Sequence, residues 1–158
     1  MDSYKQMTSQ QLKELYDYAA PIWEECYSGV LTEEHISFLT DKYFKYENLI
    51  KFRENGMVYE YIYHDGELAG FLAYEEKESF IYLDKLYLHK AYRGLHISSH
   101  TFDYLISRYK KPIRLNVNQG NEYGMRSYTG NGFKIIETTE IKLPGGFINN
   151  DYIMEKSV

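Results

Sequence analysis

From Leu86 to Tyr109 the chain reads LYLHKAYRGLHISSHTFDYLISRY, a strand, a basic turn holding Arg93 and Gly94, and an amphipathic helix opening on the hydroxyls of Ser98 and Ser99. A helix that begins this way presents free backbone N–H groups and the positive end of its dipole. Both favour a bound anion such as a phosphate. Taken alone, the same residues are equally a solvated basic loop ahead of a core helix. Neither G-x-G-x-x-G nor G-x-x-x-x-G-K-[ST] occurs, which excludes a Rossmann fingerprint and a P-loop. Groups able to accept a proton from an amine are Asp84, in the string YLDKLYL, and Glu24, Glu25 and His35; each is equally a solvated charge or a structural partner. Five histidines offer no metal spacing: His96 and His100 stand four apart, without the acidic partner of a zinc-protease helix, and no metal is expected. Cys26 is the only cysteine, so neither an internal disulfide nor a cysteine-based metal cluster is available. It lies on an apolar stripe and reads as a core residue.

These residues must be held by a scaffold, and the hydrophobic period supplies it. Thr8 and Gln11 form a capping box. Leu12, Leu15, Tyr16, Ala19, Ile22, Trp23 and Cys26 then recur at helical spacing, predicting a helix to about Tyr27 with Pro21 kinking or splitting it. Thr32 caps a second helical segment that carries Ile36, Leu39, Tyr43, Leu49 and Ile50 and closes at Gly56. The first third is therefore expected to be helical. Beyond Gly56 the period becomes that of strands. Met57–His64 and Leu68–Tyr74 flank the hairpin signal Asp65-Gly66, and Phe80–Leu88 completes an antiparallel meander. The helix after Arg93 ends at Pro112, and Ile113, Leu115 and Val117 alternate with Arg114, Asn116 and Asn118 as a short half-buried strand. A helix crosses between it and the strand ending at Leu88, so these two strands are expected to be parallel neighbours. A short helix over Glu122–Thr129 and two closing strands, Phe133–Lys142 and Phe147–Glu155, finish one α+β domain, 1–158, on a mixed, mostly antiparallel sheet of six to seven strands.

Bulk composition narrows the class. The 158 residues are 44% hydrophobic and 26% charged, ordinary for a globular chain and against wholesale disorder. A formal net charge of -5 argues against general nucleic-acid binding and permits a cationic substrate such as an amine. The N-terminus MDSYKQMTSQQ has neither a signal pattern nor a long apolar run, so the expectation is a cytoplasmic protein without a membrane partner.

Two strings, Leu86-Tyr87-Leu88 with Arg93-Gly94-Leu95-His96-Ile97-Ser98, and NEYGMRSYTGNGF from Asn121 to Phe133, together with the order of elements, resemble the GNAT superfamily of N-acetyltransferases along essentially the whole chain. The resemblance implies a GNAT-like fold splayed at the cofactor slot, acetyl-CoA as cofactor, and direct attack by an amine in a ternary complex, with no cysteine nucleophile. In that family [QR]-x-x-G-x-[GA] cradles the pyrophosphate, which implies a cofactor site over Arg93, Gly94, Leu95, His96, Ile97, Ser98 and Ser99. Backbone groups around Leu86, Tyr87 and Leu88 would pair with the pantetheine arm like an added strand. His96 stands where the family has Gly, and Ser98 where it has Gly or Ala; with a helical backbone at His96 its N–H is still donated. The motif N-x-x-A-x-x-x-Y-x-x-x-G-F implies that Asn121 contacts the cofactor and that Tyr128 is the general acid for the departing thiolate; Gly124 stands for its Ala. Phenols titrate near ~10 and thiols near ~8.5, so the useful contribution is a hydrogen bond that strengthens as sulfur charges. Asp84, Glu24, Glu25 and His35 remain the candidate bases for the amine, directly or through water; the resemblance implies that a water chain alone can suffice, so it requires no dedicated base. Acceptor choice in the family comes from the first helices and the closing hairpin, which points to Trp23, Tyr27 and Phe147. The acceptor is then a small-molecule amine or the amino group of a peptide, and a homodimer through the closing strands is compatible with the sequence. A CoA-binding module without catalysis, acting as a sensor or interaction partner, is the rival class.

Overall fold

The structure, a computed structural model, describes residues 1–158. Its contacts divide the chain into two compact units, Met1–Glu75 with Lys85–Ile97, and Glu76–Asp84 with Ser98–Val158.

The first unit opens with a strand that the sequence pattern does not announce, β1 (Asp2–Gln6). Its string DSYKQ is polar because β1 is the end strand of the sheet, and only Asp2 and Tyr4 are shielded. Helix α1 (Ser9–Tyr27) follows behind the expected capping box, in which Thr8 Oγ1 accepts from Gln11 N at 3.1 Å and Gln11 Oε1 accepts from Thr8 N at 2.9 Å. It runs through Pro21 without splitting. A helix-interior proline costs about 3 kcal/mol. Leu12, Leu15, Ala19, Ile22, Trp23 and Tyr27 are all buried along α1, and each larger apolar side chain contributes roughly 1.5–3 kcal/mol, so burial outweighs the break. The second helical segment is two helices, α2 (Glu33–Phe44) and α3 (Tyr46–Glu54). Lys45, extended at φ -62° and ψ 137°, separates them. Strands β2 (Val58–His64) and β3 (Glu67–Glu76) form the expected hairpin, with Asp65 and Gly66 both at positive φ in its turn.

Strand β4 (Ile81–Leu88) is shared, its first half belonging to the second unit and its second half to the first. The second unit adds α4 (Ile97–Tyr109, from Ser98 onward), β5 (Ile113–Asn118), α5 (Glu122–Gly130), β6 (Lys134–Lys142) and β7 (Ile148–Lys156). The seven strands are hydrogen-bonded in the order β1-β2-β3-β4-β5-β7-β6. As expected, β4 and β5 are parallel, but their ladder covers only Ile81↔Ile113 to Leu83↔Leu115. The remaining pairings of β5 with β7 and β7 with β6 are antiparallel. Ile81, Leu83, Phe102, Leu105, Ile113, Leu115 and Met154 form the core of this unit. No helix is long and apolar enough to cross a membrane.

Candidate functional site

The turn after β4 is built by its main chain. His89 Nδ1 accepts from Ala91 N at 3.2 Å and starts a short 3-10 turn over Lys90–Tyr92. Gly94 then lies at φ 82° and His96 at φ 62°, both left-handed. His96 is thus not helical, as the expectation for its N–H supposed; it occupies a conformation that glycine adopts freely and a histidine adopts at a cost. Helix α4 begins one residue later, on buried Ile97, one residue before the expected start on Ser98, so that Ser98 and Ser99 lie in its first turn. Leu95 and His96 project outward, and a Cβ built on Gly94 meets nothing within 4 Å. The outer surface of the turn is therefore open, with a 13-residue helix behind it.

Arg93 behaves differently from its neighbours. Its guanidinium pairs with the Glu25 carboxylate, donates to the Leu88 carbonyl at 3.2 Å and reaches Cys26 Sγ at 3.4 Å. It joins the end of α1 to the end of β4. Cys26 is half-buried here rather than core, and burial pushes its thiol up while Arg93 pulls the other way. In the second half of β4, Leu86 and Leu88 are buried. Tyr87 stacks on Phe71 at 5.8 Å and shares a 2.6 Å hydrogen bond with the Tyr27 hydroxyl. Trp23 and Tyr27, expected at the acceptor, are 5% and 6% exposed. Trp23 lies among Tyr27, Tyr43, Phe44 and Tyr87 with centroids 5.1–5.7 Å away, a packing position for its ring.

In the second unit, Asn121 is the N-cap of α5, its Oδ1 accepting from Gly124 N at 2.9 Å. The amide folds so closely over Gly124 that a Cβ there would lie 2.8 Å from Asn121 Nδ2. The exchange of Ala for Gly is what this cap geometry requires. With Oδ1 engaged, Nδ2 is the donor that Asn121 can offer a ligand. Tyr128, half-buried on α5, packs its ring on Phe102 and Phe133 at 5.9 and 5.5 Å. Phe133 N donates to the Tyr128 carbonyl at 3.0 Å, closing the helix. The string NEYGMRSYTGNGF is thus a capped helix whose tyrosine is fixed by an aromatic pair. Asp84 is half-buried on β4, and Phe147 is half-buried beside the Gly145–Gly146 turn.

One group was not picked out from the sequence. Tyr82 Oη donates to Asn116 Oδ1 at 2.8 Å, and Asn116 Nδ2 donates to Asp151 Oδ2 at 3.4 Å. Burial raises the Asp151 carboxyl above the usual carboxylate range, against the hydrogen bond from Asn116. The alternating polar positions of β5 were its one visible trace.

The model of the acetyltransferase (GNAT) family matches residues 12–133. The chain belongs to that family: it is a GNAT-type acyltransferase, with acetyl-CoA as its cofactor. Among solved structures it is similar to the PaiA N-acetyltransferase of Thermoplasma acidophilum in complex with coenzyme A. That match has a TM-score of 0.77 and 23% identity, over 100% of this chain and 99% of the other. It is also similar to Arabidopsis thaliana Naa50 in complex with the bisubstrate analogue CoA-Ac-MVNAL, at TM-score 0.62, 21% identity and 99% of each chain. A third is ribosomal-protein-alanine N-acetyltransferase from Brucella melitensis, at TM-score 0.65, 17% identity and 99% of each chain. No curated protein matches the sequence.

Proposed function

We propose that the protein is an N-acetyltransferase that moves the acetyl group of acetyl-CoA to a primary amine, of a small molecule or a peptide, by direct attack in a ternary complex. The observation that carries this is the open, left-handed turn at Gly94–His96 in the first unit, before α4, supported separately in the second unit by the capped helix that fixes Tyr128. Acetyl-CoA supplies an activated thioester. The backbone N–H groups from Gly94 to Ser99 receive its pyrophosphate, aided by the α4 dipole. Arg93 serves this turn by holding it against Glu25 and Leu88 rather than as a direct phosphate ligand. The main chain at Leu86–Leu88 receives the pantetheine arm, since the β4–β5 ladder ends at Leu83. Asn121 contributes its Nδ2. The Tyr128 hydroxyl gives the departing sulfur its proton; the amine attacks as the neutral form, loses one proton to water as the C–N bond forms and the C–S bond breaks, and a proton from water restores Tyr128.

The Naa50 structure carries a peptide-bearing analogue, and the ribosomal-protein enzyme takes a protein amino group by its name; both support a peptide acceptor alongside a small amine. The test is an acceptor screen with amines, aminoglycosides, polyamines and peptides, reading free thiol release. Amine-dependent release is expected, and it should fall on Tyr128→Phe. Acetyl-CoA binding without release for any acceptor would favour a sensor module instead.

A further inference from the structure

Four strands of the second unit, β4, β5, β7 and β6, bring a set of hydrogen-bond acceptors onto one face. Thr139 stands directly opposite Asp151 in the β6–β7 ladder, and Asp151 opposite Asn118 in the β5–β7 ladder. Side chains two apart on a strand share a face. Asn149 and Asp151 on β7, Asn116 on β5 and Thr139 on β6 are therefore together, joined by Tyr82 through its hydrogen bond to Asn116.

The donors and acceptors of this face do not balance. A carboxylate offers about four acceptor positions, and Asp151 receives a single donor, the Asn116 amide, at a long 3.4 Å. Thr139 Oγ1 and Asn149 Oδ1 are buried with no hydrogen-bond partner at all. Buried polar atoms are nearly always paired, so two orphans beside a half-buried carboxylate call for an explanation. Arg114, a cation on the same face, is committed to Glu155 at 2.6 Å and to the Phe80 ring. What the face lacks is a group with a positive charge and several N–H donors. A primary ammonium has three.

The face also adjoins the loop that leads to the α5 cap. Asn118, the ladder partner of Asp151, accepts from Asn121 N through its carbonyl and from Gly120 N through Oδ1, each at 2.9 Å. Gln119 N donates to the Asn150 carbonyl at 2.9 Å, tying the same loop to β7.

We propose that this face receives the primary ammonium group of the acetyl acceptor as it docks, with Asp151 as anionic anchor and Thr139 and Asn149 as hydrogen-bond acceptors; the ammonium gives up one proton to water before its nitrogen attacks. The identity of the bound group as the acceptor rests on the N-acetyltransferase reading; the docking face itself does not. The protein is titrated with n-butylammonium, and with n-pentanol as an uncharged molecule of similar shape, while backbone amide shifts are followed by NMR. n-Butylammonium should move the amides of residues 139, 149 and 151, and n-pentanol should not. Asp151→Asn, nearly isosteric, should weaken n-butylammonium at least tenfold, and Thr139→Val should weaken it less. An unresponsive wild-type face, or an unchanged Kd in Asp151→Asn, overturns the proposal. Calorimetry with acetyl-CoA runs beside it. Loss of cofactor binding with the ammonium response intact would remove the acetyltransferase reading and leave the docking face standing.

Discussion

The two binding regions proposed above, the turn at Gly94–His96 and the polar face around Asp151, are built by different means. At the turn the useful groups belong to the main chain, and the one strong side chain nearby, Arg93, is occupied by Glu25, Cys26 and Leu88. On the face every useful group is a side chain, and the residues come from four separate strands. A main-chain site tolerates exchange of its residues provided the backbone keeps its path, which is how His96 can stand at a left-handed position with its ring exposed. A side-chain site has no such freedom, because removing one partner leaves another buried and unpaired.

That contrast can be strained at several points. The largest effect is expected away from both regions, at Tyr128, the acid proposed above. Tyr128→Phe should lower kcat by about 100-fold, the lower end of what a positioned acid contributes, with the acetyl-CoA Kd unchanged by calorimetry. Unaltered turnover would remove its role as acid. Next comes Gly70→Ala, beneath the second half of β4. A Cβ there would press on the Tyr87 carbonyl oxygen and lie 3.1 Å from Leu88 Cα. Overpacking of this kind costs about 1–3 kcal/mol, read as a lower Tm, and it should weaken acetyl-CoA binding by displacing the main chain of Leu86–Leu88. Wild-type stability in this variant would mean that β3 and β4 yield more easily than their close contact implies.

His96→Gly tests the main-chain character of the turn. A non-glycine left-handed residue costs roughly 1–2 kcal/mol, partly offset by the greater chain entropy of glycine, so a net gain of about 1 kcal/mol or less is expected. Tm should rise by a few degrees at most, with acetyl-CoA bound equally or more tightly. A clear loss of cofactor affinity would show that the imidazole touches the ligand and that the turn binds through a side chain after all.

The smallest effect concerns Asp151. Its carboxyl is raised in the folded protein, chiefly by burial, so the native state binds its proton more readily than the unfolded chain does. Stability from this group is therefore lost as pH rises through its folded pKa. Asp151→Asn should be slightly more stable than wild type at pH 7, and the difference should shrink in acid, where wild type is itself protonated. Nearby charges that also act on the face are Arg114, Glu155, Asp84 and Glu137. A variant less stable than wild type at pH 7 would make Asp151 a structural residue.

The two regions also differ in how far they can be read from sequence. The turn and the α5 cap are contiguous strings, so Arg93–Ser99 and Asn121–Phe133 stand out by their resemblance to two family motifs; local helix rules alone leave the turn a solvated basic loop. The sheet order is legible for a similar reason: Asp65-Gly66 marks a hairpin, and the helix before Ile113 forces a parallel neighbour. What escapes is set by long-range pairing. Strand β1 has no apolar alternation and exists because β2 offers it an edge. Pro21 reads as a kink or a split, yet tertiary burial keeps α1 a single helix through it. The left-handed backbone at His96 contradicts the residue's own preference. Tyr82, Asn116, Thr139, Asn149 and Asp151 lie far apart in the chain, and only the ladder register brings them to one face.

The central claim is that the chain binds acetyl-CoA through the turn and transfers its acetyl group. Its most direct test is calorimetric titration with acetyl-CoA beside analogues lacking the 3′-phosphate or the adenine. Saturable binding is expected, strongest for acetyl-CoA itself. No heat at millimolar acetyl-CoA, from protein shown to be folded, would contradict the account.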